Sequence, residues 1–185
     1  MKPVVLQRDL SYVLAAMTAD VADSTGSVDV GALATLLGRL RNARRVFLVA
    51  QGRTGAIARA VATRLAHIRP EVHLVGGATV PPIRRGDLLI ACSGSGETPV
   101  TCLHARTAKG HGATVAAMTA ERSSTLGRLA DLTIVIAAGQ GRARQLGGSL
   151  FEQSLLVLLD AVALALARER GLTDAALRRR HANLE

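Results

Sequence analysis

A chain of 185 residues and 19.3 kDa, 49% hydrophobic, is long enough for one domain with a full core and too apolar to be disordered. Its formal charge of +9 points to an anionic partner; with aromatics at only 2% and no helix-turn-helix or zinc-finger pattern, a phosphorylated metabolite is expected rather than a nucleic acid. Cys92 and Cys102 make no CxxC pair, no signal peptide precedes them, and the most apolar run, Leu155 to Ala167, carries Asp160 and is too short to span a bilayer, so a cytoplasmic, non-membrane chain with reduced thiols is expected.

Two helices come first. Leu10, Val13, Leu14, Met17 and Val21 recur at helical spacing, and Asp29 is placed to cap a helix through Leu40 with Leu33, Leu36, Leu37 and Leu40 on one side. The pattern then changes. Val46 to Ala50 is a short apolar run, as expected of a strand buried on both faces. Gln51-Gly52-Arg53-Thr54-Gly55 predicts a tight loop, followed by a helix from Ala56 to Ile68. Val72–Val75 and Asp87–Ala91 predict the second and third strands, Glu97–His111 a helix, Thr114–Met118 the fourth strand, Leu126–Ala130 a short helix and Leu132–Ile136 the fifth strand. A glycine-rich stretch, Ala137 to Gly148, leads into a long helix from Ser149 to Arg170, and Thr173 caps a last helical turn.

Buried strands alternating with helices imply an α/β fold: a three-layer αβα sandwich on a five-stranded parallel sheet, in the flavodoxin-like order 2-1-3-4-5. No internal repeat or linker divides residues 1–185, so a single domain is expected, with residues 1–44 as a helical arm and 171–185 as a C-terminal tail.

Ser93-Gly94-Ser95-Gly96-Glu97-Thr98 carries the most chemistry. It follows a strand and opens a helix, the place where open α/β sheets bind ligands. The glycines let backbone N–H groups turn toward one point, Ser93, Ser95 and Thr98 add hydroxyls, and the helix N-terminus favours an anion. No Gly-Lys-Ser/Thr follows, so it is not a Walker A loop, and the glycine spacing is not that of a dinucleotide fingerprint. Gly52, Arg53 and Thr54 form a second such segment after the first strand. With strands one and three adjacent, both face one crevice, where Thr54 can donate to a phosphate and Arg53 can neutralise its charge.

On these two segments the sequence resembles the SIS family of sugar isomerases. Gly148-Ser149-Leu150-Phe151-Glu152, the terminal Arg180-His181-Ala182-Asn183-Leu184-Glu185, and Gly86-Asp87-Leu88-Leu89-Ile90 ahead of Ser93–Thr98 make it similar to the 6-phospho-3-hexuloisomerases over nearly its whole length. Thr54 stands where that family commonly has Ser, keeping the hydroxyl, and Gln145–Gly148 lacks the family's proline.

The resemblance implies interconversion of D-arabino-hex-3-ulose 6-phosphate and D-fructose 6-phosphate, the isomerase step of the ribulose monophosphate pathway of formaldehyde fixation, with no cofactor and no metal. It implies Glu152 as the base that moves the proton, His181 as a proton shuttle between the substrate oxygens, and a homo-oligomer, a tetramer, in which the tail of one subunit completes a neighbour's site. Thr79, in the proline-containing loop before strand three, is expected as a further sugar contact. Two alternatives stay open: another SIS isomerase acting on a different sugar phosphate, and a sugar-phosphate-binding module without catalysis.

Overall fold

The computed structural model describes residues 3–69, 71–138 and 145–181. Helices α1 (Pro3–Gly26) and α2 (Val30–Asn42) lead into β1 (Val46–Val49), α3 (Gly52–Ile68), β2 (Val72–Leu74) and β3 (Leu88–Cys92). Then come α4 (Pro99–Gly110), β4 (Thr114–Thr119), α5 (Thr125–Leu129), β5 (Leu132–Val135), α6 (Ser149–Glu169) and α7 (Asp174–Arg178). All five strands pair in parallel in the order β2-β1-β3-β4-β5, with Val46 opposite both Val72 and Leu88. The expected sandwich and strand order are both present.

Alternation along each strand builds two cores. Val46, Leu48, Leu88, Ile90 and Met118 point to the face covered by α2, α3 and α6, where Leu36, Leu40, Val61, Leu65, Leu155 and Leu159 meet them. Phe47, Val49, Leu89, Ala91 and Val115 point to the other face, covered by Cys102, Ala105 and Ala108 of α4 and Leu126 of α5. The two crossovers that leave β1 and β3 therefore lie on opposite faces, and the reversal of direction falls between those two strands.

Local chemistry fixes several ends. Asp29 accepts from the Gly31 N–H, Ser124 from the Gly127 N–H and Thr173 from the Ala176 N–H, capping α2, α5 and α7. At the C-terminus of α2, Arg69 donates to the carbonyls of Leu40, Ala43 and Arg44. α6 is long and apolar enough to cross a bilayer, yet it is a core helix: Leu155, Leu158, Leu159, Ala163 and Leu166 are buried, and Asp160 faces Arg64 of α3 at 3.6 Å. Within residues 1–44, α2 contributes Leu36 and Leu40 to the core, whereas Leu10, Tyr12, Val13 and Leu14 of α1 are exposed.

Candidate active site

Three helices begin at the carboxyl edge of the sheet around the β1/β3 junction. α3 starts at Gln51, α4 at Thr98 and α6 at Gly148, and none of these caps makes a side-chain hydrogen bond to its helix. Their first-turn N–H groups carry partial positive charge toward one crevice, without the capping oxygens found at α2, α5 and α7.

The chain turns from β1 into α3 more sharply than the sequence suggests. Residues 52–55, predicted as a loop, form the first turn of α3: the Gly55 N–H donates to the Gln51 carbonyl at 3.0 Å. Gly52 makes the turn with φ +57, a backbone that favours glycine. Arg53 then projects, exposed, from the first turn, and Thr54 behind it is half-buried.

The 93–98 segment is a tight turn held by its own hydroxyls. Ser93, buried below β3, accepts from the Gly96 N–H at 3.1 Å and lies 2.8 Å from the Thr98 hydroxyl. Ser95 is exposed and accepts from the Glu97 N–H at 3.2 Å, which leaves its own proton free for another acceptor. Gly94 packs against the Phe151 ring of α6; a Cβ there would sit 3.4 Å from the ring.

α6 supplies the carboxylate. Glu152 lies in its first turn, and its side chain keeps 17% of its surface. Arg53 binds it twice, Nε to Oε1 at 3.1 Å and Nη2 to Oε2 at 2.7 Å, and also donates to the Gly147 carbonyl and Ser149 Oγ. The Glu152 hydrogen bond, and then its charge, raises the Arg53 pKa. Gly148 takes φ +82, a backbone that favours glycine, and sits against the pair: a Cβ there would be in ordinary contact with Arg53 Nη2 at 3.5 Å and Glu152 Oε1 at 3.8 Å. Sequence reasoning singles out Glu152 and Arg53 separately; it misses their pairing and the part Gly147, Gly148, Ser149 and Phe151 play in framing it. Cys92, at the foot of the 93–98 turn, is fully buried, and burial pushes its thiol up to about 12, which rules out a thiolate nucleophile near neutral pH.

Gly52, Arg53 and Thr54 thus follow β1, and Ser93, Gly94, Ser95 and Thr98 follow its neighbour β3, at one edge of the sheet, and α6 joins both segments through Glu152 on Arg53 and Phe151 on Gly94. Two predicted residues stand apart. Thr79 is exposed on the β2–β3 loop, lining a cleft of about 400 Å³ with Arg59 along β2. His181 follows α7 and stacks on His67 with ring centroids 4.2 Å apart, while the neighbouring Arg180 donates to the His67 and Ile68 carbonyls. His67 is near the far end of α3, roughly 20 Å from its first turn at 1.5 Å per residue, so His181 does not reach the crevice of its own chain. The Ala182–Glu185 end of the expected motif lies outside the described residues.

The αβα fold sets helix N-termini, serine hydroxyls and a shielded carboxylate together at one edge of its parallel sheet, and the chain belongs to the SIS domain family, whose model matches residues 39–165. Within that family it is 39% identical over 183 residues to the 3-hexulose-6-phosphate isomerase of Mycobacterium gastri, spanning 96% of this chain and 92% of that one. It is 38% identical to the protein of the same name from Bacillus subtilis strain 168, spanning 81% of this chain and 85% of the other. A Methanococcus jannaschii protein, whose crystal structure led to an inferred function of 3-hexulose-6-phosphate isomerase, superposes with a TM-score of 0.81 at 28% identity, covering 94% of this chain and 99% of that one.

Proposed function

We propose that the chain interconverts D-arabino-hex-3-ulose 6-phosphate and D-fructose 6-phosphate through a cis-enediol. The observation that carries this reading is the placement of Glu152: a carboxylate largely shielded from water, tied to Arg53 and joined through Phe151 to the serine-rich turn that would hold the phosphoryl group. The names of the Mycobacterium gastri and Bacillus subtilis relatives support the same choice among sugar phosphates.

The phosphoryl group sits against the N-termini of α3 and α4, with Ser95 and Thr54 donating hydroxyl protons and the amides of 52–54 and of Gly94, Ser95 and Thr98 facing its oxygens, those of Gly55, Gly96 and Glu97 being taken up within the turns. The open-chain sugar extends toward α6. Glu152 removes the proton from C2, the electrons flow into the C3 carbonyl, and the resulting enediol takes the proton back at C3 on the same face. Arg53, released from Glu152 toward the substrate, balances the charge that builds on oxygen in the enediolate. The proton on O2 must pass to O3, and His181 of a neighbouring subunit is the group for it.

In this reading residues 1–185 act as one domain in a cytoplasmic homotetramer. The 171–185 tail completes a neighbour's site, and the 1–44 helical region meets another subunit through the exposed Leu10, Val13 and Leu14. Thr79 touches the sugar only from that assembled form.

The test is direct. Purified protein given the 3-ulose 6-phosphate should form fructose 6-phosphate, read by a coupled dehydrogenase assay. Glu152→Gln should lower kcat by about a thousandfold or more while phosphate-sugar binding survives. Turnover of a different sugar phosphate in place of the hexulose, or full activity in Glu152→Gln, rejects the assignment.

A further inference from the structure

We propose that Glu97 is a positioning residue for the phosphoryl cradle: its carboxylate ties the 93–98 turn to the first turn of α5 and so sets where Ser93, Ser95 and Thr98 point. This rests on the sugar-phosphate reading above and deepens it. A carboxylate inside a turn meant for a phosphate dianion is otherwise out of place, because like charges at close range repel.

The geometry resolves the conflict. Glu97 Oε1 accepts from the Thr125 N–H at 2.7 Å, reaching from the β3–α4 junction to the β4–α5 junction. That bond, with the Thr125 side chain and the charge of Arg128, holds the carboxyl below the usual carboxylate range, so it is ionised near neutral pH and the bond is charge-assisted. Its backbone N–H meanwhile orients Ser95 Oγ. One residue therefore anchors the turn with its side chain and aims a phosphate-facing hydroxyl with its main chain.

The two segments interlock closely enough for such a tether to matter. The Gly96 carbonyl accepts from the Leu126 N–H and the Gly94 carbonyl from the Ala120 N–H, both at 2.9 Å. Gly96, at φ +66, has Ser124 Oγ 2.0 Å from the place of a Cβ, so no other residue fits there without displacing the α5 turn. Helix capping does not need Glu97, because Ser124 already accepts from the Gly127 N–H. The carboxylate takes a different donor, the Thr125 N–H, and its bond joins the end of α5 to the cradle turn.

Two variants test this from opposite sides of the bond. Glu97→Ala removes the acceptor. Thr125→Pro removes the donor at the first residue of α5, where proline fits a helix, and Ser124 at φ −65, ψ 165 already has the extended backbone that precedes a proline. The readouts are the KM for the 3-ulose 6-phosphate, the kcat, the Kd for inorganic phosphate by calorimetry, and the melting temperature. Both variants should raise KM and the phosphate Kd about fivefold, with kcat within about threefold of wild type, and the double variant should be no worse than either alone. Glu97→Gln, which keeps an acceptor oxygen, should recover most of the affinity.

Unchanged phosphate affinity in Glu97→Ala overturns the proposal, as does a fall in kcat with KM intact, or a Glu97→Gln as impaired as Glu97→Ala. Should wild-type protein leave the hexulose untouched, the proposed reaction falls, and the phosphate Kd of the variants alone decides the role of Glu97. A wild-type chain that binds no phosphate overturns both.

Discussion

Arg45 and Asp87 bind each other by two hydrogen bonds, 3.1 and 2.8 Å, with side-chain exposures of 9% and 0%. Arg53 and Glu152 make the same kind of fork at the other end of the sheet, but the Arg53 side chain keeps 62% of its surface. Burial decides what each pair does. Asp87→Asn leaves a buried guanidinium without its counter-charge, which costs about 3 kcal/mol and lowers the melting temperature by several degrees. Catalysis per folded molecule should hold, since the pair lies beside Pro82 and Arg84, away from the crevice. Arg53→Ala removes an exposed charge and should leave the melting temperature nearly unchanged, while kcat/KM falls roughly tenfold or more. Denaturation curves and steady-state kinetics on the two proteins give the comparison. An Arg53→Ala enzyme with wild-type kcat/KM would mean that the arginine is only a surface partner of Glu152.

Asp131, between α5 and β5, joins three elements at the opposite edge. Lys109 of α4 meets Oδ1 at 2.6 Å, the Val115 N–H of β4 meets Oδ2 at 2.8 Å, and Arg39 of α2 donates to its carbonyl at 3.2 Å. Partial burial pushes its pKa up, but Lys109, the Val115 N–H and Arg39 outweigh that and leave it lowered. A depressed folded pKa contributes stability that is complete above the unfolded value, near 3.9, and is lost as pH falls through the folded one. Asp131→Asn should therefore melt below wild type at pH 7, with the gap closing as the pH drops under about 4. A gap that stays constant down to pH 2 would show that the charge contributes nothing. The elements themselves are legible in sequence for a simple reason. Strands covered on both faces need apolar residues at every position, so Val46–Val49 and Leu88–Cys92 stand out as unbroken runs. The start of α3 is less legible: glycine at 52 and 55 signals a turn, and Gly52 does take φ +57, yet the hydrogen bond from Gly55 to Gln51 already belongs to the helix.

For the whole molecule, the serine-rich turn is readable because its chemistry is contiguous, six residues that carry their own hydroxyls and glycines. The Arg53–Glu152 pair is not, since 99 residues separate the partners and only the parallel packing of α3 and α6 brings their first turns together. His181 is the harder case. Its motif is at the end of the chain, and the fold holds it against His67, far from its own Glu152. If both residues serve one reaction, the two must come from different subunits, and that makes a prediction no single chain can satisfy. Glu152→Gln and His181→Ala should each be nearly inactive as pure oligomers. Unfolded together and refolded as a mixture, they should regain activity, because sites pairing Glu152 from one variant with His181 from the other are intact. Random assembly at equal amounts makes about a quarter of the sites complete. Mixed oligomers, separated by a tag on one variant, should therefore recover roughly that fraction of wild-type kcat, with wild-type KM at the surviving sites. Co-assembled oligomers that stay inactive would remove His181 from the reaction and leave Glu152 to work with groups of its own chain.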